Sequence, residues 1–321
     1  MNSVATDSGR GSIPAFVAST GGHLVQLSGL APLIEPERHH DGLWITHEND
    51  QSRSLLEGRN VVFVPLVETR RLDHVLTRTS TVLRLLRRHH VDTVYSTGAA
   101  IAISALPLAP LVGARPVFIE SLARADGPSV SGRVNRRVPW VQCWTQYPGN
   151  AGNGWSYRFS LLDTFELEPP VPRTPRKVLV TVGTVRLWGF RRMLERVRAV
   201  LPEDSEVVWQ TGASDLSGLD LPGRVVEVFS DAEFQAEIDR SDVVVSHSGV
   251  GSLLRTLGSG QTPVLVPRRA ANGEHVDDHQ TQIAGVAAAR GLAVVKEAGD
   301  LEYDDLVRAA AGRVRHRGDG E

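Results

Sequence analysis

The sequence is poor in cysteine and lacks a long apolar segment. Its 321 residues include one cysteine, and this single Cys143 excludes an intramolecular disulfide and fits a reducing compartment such as the cytosol. The longest apolar stretch, residues 99–112, contains Pro107 and Pro110 and is shorter than the roughly 20 residues that a membrane-spanning helix needs. Residues 1–12 are small and polar, which predicts no signal peptide. We therefore expect a cytoplasmic protein without a membrane span.

The chain also has no large excess of positive or negative charge. The chain carries 35 basic and 37 acidic residues, a formal net charge of −2, so no overall basic field indicates nucleic-acid binding. Hydrophobic residues make up 41% and charged residues 22%, as in ordinary globular proteins. The length predicts two domains.

A strand, a glycine-containing turn and a helix recur along the chain. The clearest copy begins with the apolar run Val243–Val245, continues through SHSGVGS at 246–252, and enters a helix with apolar positions at 253, 254 and 257. Unpaired N–H groups and the positive helix end at such a turn predict a phosphate-binding site, with Ser248 or Ser252 as the helix cap and the glycines allowing close approach of a ligand. Ser248 is not predicted to be a hydrolase nucleophile, because Ser246 stands where that motif needs glycine.

The loop that follows the next strand, residues 267–280, is rich in acidic, amide and imidazole side chains. Asp278 and Gln280 are suited to hydrogen bonds with a ribose, a sugar or a base. The alternative is a metal site at His275, Asp277 and His279, since imidazole and carboxylate are suitable ligands. Their spacing matches no closed zinc motif and no cysteine is near, so the sequence predicts no metal.

The N-terminal half opens with a similar turn. A strand at 14–18 runs into Ser19-Thr20-Gly21-Gly22-His23, and a helix follows. The G-x-G-x-x-G spacing of dinucleotide-binding enzymes is absent, which excludes an ordinary dehydrogenase motif. His23 at the helix start is either a catalytic group or a residue that only hydrogen-bonds a turn carbonyl.

The alternation of strands and helices predicts parallel sheets joined by right-handed crossovers. Arginines and tryptophans at 124–144 indicate either a surface for anionic lipid headgroups or a solvated loop. Four prolines mark a linker between the two halves. The predicted organisation is a disordered N-terminus at 1–12, a first domain at 13–165, a linker at 166–177, a second domain at 178–310 and a tail at 311–321.

Six ordered motifs, spread from about residue 13 to residue 301, carry a family resemblance. Residues 18–24 and 119–124, with Ser131-Gly132-Arg133, resemble the acceptor-side subunit of the lipid-linked N-acetylglucosaminyltransferase of asparagine glycosylation. Residues 180–184, 210–212, 246–252 and 277–280 resemble its donor-binding partner. The order is that of a family 28 glycosyltransferase and is similar to the enzyme that completes the peptidoglycan lipid intermediate. The aromatic residue that this pattern has soon after Gly-Thr is displaced here to Trp188 and Phe190, so we expect a reshaped acceptor-facing loop.

The resemblance implies an α/β GT-B fold, with two Rossmann-like domains facing across a cleft that holds the active site. It implies inverting transfer of a hexose or N-acetylhexosamine from a UDP-sugar to a hydroxyl acceptor, a lipid-linked saccharide at the cytosolic membrane face, without a metal or other cofactor. The candidate bases are His23 and Glu120. The implied donor-binding residues are Gly183, Thr184, Gln210, Gly212, His247, Ser248, Gly249, Gly251, Ser252, Asp278, His279 and Gln280, and the implied acceptor-binding residues are Gly21, Gly22, Arg124, Arg133 and Arg137.

Two other functions remain open at this stage. A UDP-sugar epimerase has a similar double-Rossmann architecture but converts its substrate without an acceptor. A non-catalytic nucleotide-sugar-binding subunit would bind UDP without turnover. The presence of both halves in one chain argues against the second alternative.

Overall fold

A computed structural model describes residues 11–65, 72–184 and 187–317, without the side chains of residues 72–78. It divides into two units, one of residues 1–121 with 128–158 and the other of residues 122–127 with 159–321. Most of the predicted N-terminal segment at 1–12 lies outside the described residues.

The first unit is a parallel sheet of seven strands flanked by helices. The strand order is β3-β2-β1-β4-β5-β6-β7, so the direction of winding reverses between β1 and β4. Buried apolar strands fill its core, and Phe16 stacks on Trp44 with ring centroids 4.7 Å apart. The strands are β1 Ile13–Val17, β2 Leu43–Thr46, β3 Val61–Phe63, β4 Val91–Ser96, β5 Arg115–Ile119, β6 Gln142–Thr145 and β7 Trp155–Tyr157. The helices are α1 Gly22–Ile34, α2 Asp50–Leu55, α3 Leu72–Arg88, α4 Ala99–Ala105 and α5 Val130–Arg136.

The second unit repeats this architecture with a six-stranded parallel sheet. Its order is β11-β10-β9-β12-β13-β14, and the winding reverses between β9 and β12. The strands are β8 Phe165–Glu168, β9 Lys177–Thr181, β10 Glu206–Gln210, β11 Arg224–Val226, β12 Val243–Ser246, β13 Val264–Leu265, β14 Val294–Val295 and β15 Arg313–His316. The helices are α6 Arg191–Val200, α7 Asp231–Arg240, α8 Val250–Gly258, α9 His279–Ala289 and α10 Tyr303–Ala311.

Two segments at the predicted boundaries form a separate small sheet. β8 pairs antiparallel with β15, so part of the predicted linker and part of the predicted tail are strands. The C-terminal strand has the sequence RVRH, with one β-branched residue, so local pattern did not predict it, whereas β8 ends at Glu168, directly before the first of the four linker prolines. Residues 318–321 lie outside the described residues.

The predicted alternation of strands and helices is confirmed. Its physical basis is visible in the buried runs Ala15–Val17 and Val243–Val245, which form central strands covered on both faces. Within the described ranges, no helix combines the length and apolar character needed to cross a bilayer.

Candidate active site

The turn after β1 meets the end of β4 at the point where the first sheet reverses its winding. Ligands bind at this position in open α/β folds because the carboxyl ends of the strands diverge there. His23 lies in the first turn of α1, and its Nδ1 atom is 2.9 Å from the carbonyl oxygen of Thr97. The Thr97 hydroxyl donates back to the His23 carbonyl over 2.8 Å. These two hydrogen bonds fix both the ring and the backbone of His23.

Two glycines make this arrangement possible. A Cβ atom on Gly98 would lie 3.2 Å from Cε1 of His23, and Gly98 has a φ of +122°. Gly21 has a φ of +83°, and its N–H donates to the side-chain oxygen of Gln51 over 2.7 Å. The predicted acceptor-side glycine Gly21 therefore shapes the turn, and Gly22 begins the helix.

The contact with Thr97 also selects the tautomer of His23. A carbonyl oxygen accepts only, so Nδ1 must carry the hydrogen, and Nε2 is then the basic atom of the neutral ring. His23 is partly exposed. The hydrogen bond to a turn carbonyl is therefore present, and it orients the imidazole, whereas a catalytic role for His23 stays a prediction.

Glu120, the competing candidate base, is buried and accepts several hydrogen bonds from its own loop. It is 3% exposed. Its two carboxylate oxygens accept hydrogen bonds from the N–H of Ser121 at 3.0 Å, the N–H of Ser129 at 2.9 Å and the Ser129 hydroxyl at 3.1 Å. A Cβ atom on Gly132 would lie 2.2 Å from Oε2 of Glu120. The carboxylate thus organises the loop and the start of α5, and this favours His23 as the base.

His247 lies where the second sheet reverses its winding, directly after β12, whereas His23 follows the first strand of its own sheet. The His247 imidazole lies between two glycines, since a Cβ atom on Gly183 would be 2.5 Å from Cε1 and a Cβ atom on Gly249 would be 2.4 Å from Nε2. The prediction that the glycines of the 246–252 turn let a ligand approach the backbone stays untested, and Gly249 has a further reason to be glycine. Gly183 and Gly249 both make room for the His247 ring.

The environment of His247 keeps its ring neutral. Burial, followed by the nearby guanidinium of Arg268, lowers the pKa of His247 to about 3. Its Nδ1 atom is buried and has no hydrogen-bond partner among the described residues. At neutral pH this ring can donate or accept a hydrogen bond but carries no charge.

The beginning of α8 presents unused polar groups. Gly249 is the N-cap residue and no side chain caps the helix, so the prediction that Ser248 or Ser252 is the cap is wrong. Ser248 instead adopts a φ of +45°, and its buried hydroxyl, like that of Ser246, has no hydrogen-bond partner among the described residues. The predicted anion site thus has free first-turn N–H groups at Val250, Gly251 and Ser252 beside these hydroxyls.

Arg268 is a functional candidate that the sequence analysis missed. Its side chain is 1% exposed, and Nη2 donates to the Val182 carbonyl at 2.6 Å, directly before the Gly183-Thr184 turn. Nη1 reaches the Glu274 carbonyl at 3.4 Å. Burial lowers the pKa of Arg268 to about 10, so the guanidinium remains charged at neutral pH. An arginine directly after Pro267, at the carboxyl end of a buried strand, was the available signal.

Of the remaining predicted turn residues, Gln210 and Gly212 pack beneath the turn and Thr184 is exposed to solvent. Gln210 is 2% exposed, and its amide oxygen accepts a hydrogen bond from the Thr181 hydroxyl. A Cβ atom on Gly212 would lie 2.8 Å from the Gly183 carbonyl oxygen. Gln210 and Gly212 thus pack the base of the turn, whereas Thr184 is exposed.

The loop from 274 to 280 brings several predicted residues together. Asp278 is exposed and accepts a hydrogen bond from the N–H of Ala270 at 2.8 Å. Gln280 is buried, and its side-chain oxygen accepts from the N–H of Arg268 at 3.1 Å. Arg268 therefore contacts both this loop and the turn after β9.

Comparisons with known proteins provide the family. Residues 177–302 match the glycosyltransferase family 28 C-terminal domain. A UDP-N-acetylglucosamine--N-acetylmuramyl-(pentapeptide) pyrophosphoryl-undecaprenol N-acetylglucosamine transferase of Synechococcus sp. (strain CC9902) is 33% identical over 258 residues, covering 75% of this chain and 67% of the relative. The chain belongs to glycosyltransferase family 28. The relative of the same name from strain WH7803 is 34% identical over 232 residues, or 67% of this chain, and the chain spans only 61% of that relative.

Solved structures of family 28 and of other proteins show the same fold. Acinetobacter baumannii MurG matches with a TM-score of 0.56 at 17% identity, covering 92% of this chain and 89% of MurG. A putative UDP-N-acetylglucosamine 2-epimerase from Listeria monocytogenes also has a TM-score of 0.56, at 12% identity, covering 94% of this chain and 92% of that one. The prediction of two Rossmann-like domains of GT-B type is confirmed, and fold alone does not separate a transferase from an epimerase.

The predicted acceptor-binding arginines of this family 28 chain are divided between the two units. Arg124 belongs to the second unit, where Nη2 contacts Oδ2 of Asp277 at 3.0 Å. Its role as an acceptor-binding residue stays a prediction, and its ion pair with Asp277 joins residues 153 positions apart within that unit. Arg133 and Arg137 lie at α5 in the first unit, with Arg133 donating to the Pro128 carbonyl and Arg137 to the Arg133 carbonyl.

Proposed function

We propose that this family 28 protein is an inverting glycosyltransferase that moves an N-acetylhexosamine or hexose from a UDP-sugar to a hydroxyl of a polyprenyl-diphosphate-linked saccharide. The relatives at 33 and 34% identity carry names that state UDP-N-acetylglucosamine as donor and a pyrophosphoryl-undecaprenol acceptor. UDP-N-acetylglucosamine is therefore the first donor to test. The observation in this chain that carries the proposal is the orientation of His23 by the Thr97 carbonyl.

His23 has the geometry of a general base. With hydrogen on Nδ1, the Nε2 atom takes the proton of the attacking acceptor hydroxyl, and Thr97 stabilises the imidazolium that forms because its carbonyl still accepts from Nδ1. The acceptor oxygen then forms a bond to the anomeric carbon while the bond to the UDP oxygen breaks. Attack from the face opposite UDP inverts the configuration.

The second unit supplies groups for the leaving diphosphate. The uncapped start of α8, the hydroxyls of Ser246 and Ser248 and the cationic Arg268 beneath the turn offer hydrogen bonds and positive charge. A hydrogen bond to a charged oxygen contributes about 1.5–3 kcal/mol, so a few such groups stabilise the developing charge substantially. We infer that transfer requires no divalent cation, and that Asp278, His279 and Gln280 contact the donor's ribose or sugar.

A surface on the first unit has the composition expected for contact with a lipid-linked acceptor. Val130 and Trp140 are 66% and 55% exposed, and the basic Arg133 and Arg137 belong to the same α5 region. Amphipathic aromatic and basic side chains favour a membrane surface with anionic headgroups. We therefore propose peripheral contact with the cytosolic face of the membrane.

The proposal is tested by combining binding with turnover. Purified protein is titrated with UDP, GDP, CMP and NAD in EDTA, and selective stabilisation by UDP is expected, about 2.7 kcal/mol at 100 times the dissociation constant. UDP-N-acetylglucosamine is then supplied with and without a polyprenyl-diphosphate-linked saccharide. Acceptor-dependent release of UDP in EDTA supports a metal-free transferase.

Other outcomes of the same assay contradict the proposal. Conversion of the UDP-sugar without an acceptor would identify an epimerase, and tight UDP binding without any turnover would identify a binding subunit. Stabilisation by NAD alone would remove the donor assignment.

A further inference from the structure

Three potential metal ligands converge on the loop that precedes α9. His275, Asp277 and His279 each offer one ligand atom, and these atoms lie within 4.8 Å of one another. The side chains of His275 and His279 are 14% and 19% exposed and that of Asp277 is 39% exposed, so the group is enclosed yet reachable. Folding thus gathers an alternating His-x-Asp-x-His segment onto one side.

The hydrogen bonds within this group leave out His275. Nδ1 of His275 lies 3.7 Å from Oδ1 of Asp277, too far for a hydrogen bond. It is buried and has no hydrogen-bond partner among the described residues. Two ligands of a tetrahedral zinc ion, each about 2.1 Å from the metal, are about 3.4 Å apart, close to the distance seen here. His279 Nδ1 already contacts the same Asp277 oxygen.

The two oxygens of Asp277 have different partners. Oδ1 faces both imidazoles, whereas Oδ2 is held by Arg124 Nη2 at 3.0 Å. A hydrogen-bonded outer partner that orients a ligating carboxylate is a regular feature of metal sites. Arg124 therefore orients Asp277 without occupying the oxygen that faces the histidines.

We propose that His275, Asp277 and His279 bind a divalent transition metal ion, with zinc as the ion of best chemical fit. Two imidazoles and one carboxylate suit zinc and leave a fourth position open to water. On binding, the ion replaces the hydrogen bond between Asp277 and His279, and the neutral His279 ring takes the tautomer with its hydrogen on Nε2, so that Nδ1 can ligate the ion. The spacing alone predicted no metal because it matches no closed motif, but an open three-ligand site needs none.

The ion would lie on the loop that carries Asp278 and Gln280. Zinc occupancy would fix this loop and thereby act on the same segment that we propose contacts the donor. The inference goes beyond the transferase, which we propose needs no metal, and its binding test contains neither donor nor acceptor. Its failure and the failure of the proposed function are thus distinguishable.

The test uses the full chain without an affinity tag, freed of metal by a chelator and then of the chelator. Zinc is titrated by calorimetry, and cobalt is added as a spectroscopic probe of four-coordinate geometry. We expect one ion per chain, visible cobalt absorption and no binding of magnesium, which prefers oxygen ligands. His275→Ala and His279→Ala should each weaken zinc binding more than tenfold, whereas the control His316→Ala should leave it unchanged.

Two results would overturn the proposal. One is absence of zinc and cobalt binding by the unmodified chain, and the other is zinc binding that persists in the His275→Ala, His279→Ala double variant. Thermal unfolding curves of each variant verify folding, and His275→Gln with His279→Gln provide a second pair that keeps side-chain volume.

Discussion

Each unit carries a histidine in a turn where the winding of its sheet reverses, His23 after β1 and His247 after β12, and yet the two rings are suited to different chemistry. His23 is held at Nδ1 by the Thr97 carbonyl, which directs Nε2 as a base. Burial, followed by the nearby guanidinium of Arg268, keeps His247 neutral, and Gly183 and Gly249 leave room for its ring. Each sheet therefore presents a histidine where its winding reverses, but the neighbours that folding brings to each ring decide its protonation.

The largest expected effect is on His23. His23→Ala should lower turnover by about 10²–10⁴ because the general base is lost, while UDP affinity stays nearly constant. Initial rates at saturating donor and UDP calorimetry check both parts. Preserved turnover with a loss of UDP affinity would contradict the assignment and make His23 a donor-side or structural residue.

The next test compares Gly183, in the turn after β9, with Gly21, in the turn after β1. Gly183→Ala and Gly21→Ala both impose a side chain on a positive φ, at a cost of about 1–3 kcal/mol each. Only Gly183→Ala also forces a Cβ atom against His247, a ring that Gly249 confines from the other side, which adds about 1–3 kcal/mol. Gly183→Ala should therefore be the more destabilising in urea unfolding, and equal losses would contradict the packing argument.

Substitutions of Arg268 test whether UDP binding depends on the buried cation that contacts the turn after β9. Arg268→Met should weaken UDP binding by about 10- to 100-fold, the equivalent of one charge-assisted hydrogen bond of about 1.5–3 kcal/mol. Arg268→Lys should retain part of the affinity, and uridine, which lacks phosphate, should bind both variants equally. A matching loss for uridine would indicate a purely structural role.

Acid should destabilise the second unit, because His247 and His275 resist protonation in the folded chain. The pKa values of His247 and His275 are lowered to about 3 and about 4 from an ordinary value of 6.5. Below pH 6.5 the unfolded chain gains protons that the folded chain does not, so stability present above pH 6.5 falls by up to about 1.4 kcal/mol per pH unit for each group. His247→Gln should make the decline between pH 6.5 and 4 shallower in urea unfolding. An unchanged slope would contradict this.

The smallest effect is expected at Thr97. Thr97→Val removes the 2.8 Å hydrogen bond to the His23 carbonyl but keeps the backbone carbonyl that holds Nδ1. A loss of about 0.5–1.5 kcal/mol corresponds to a roughly 2- to 10-fold fall in turnover, and Thr97→Ser should restore it. A fall as large as that of His23→Ala would mean that the hydroxyl acts on the reaction directly.

Local pattern predicted most of the fold because strands and helices depend on nearby residues. The apolar run before His247 and the helical spacing after it predicted β12 and α8, and the same logic located His23 at the start of α1. The cap of α8 was predicted wrongly, because the helix begins at Val250 and therefore has Gly249, which carries no side chain, at its N-cap position.

Contacts between residues far apart in the sequence could not be predicted from local sequence pattern. Arg124 contacts Asp277 across 153 positions, and Arg268 reaches Val182 across 86. Glu120 was the competing candidate base, and its carboxylate accepts hydrogen bonds from Ser121 and Ser129, which local pattern did not predict. Such partners are set by how elements pack, which residue spacing does not encode.

By itself, the sequence determined the alternation of strands and helices, the glycine turns and the two candidate histidines, because apolar periodicity and turn chemistry act over a few residues. Tertiary structure alone decided that His23 is oriented by Thr97, that His247 is kept neutral beside Arg268, and that the three side chains at 275, 277 and 279 converge. Protonation and coordination depend on distances of a few ångströms between side chains, and only the packed chain fixes those distances.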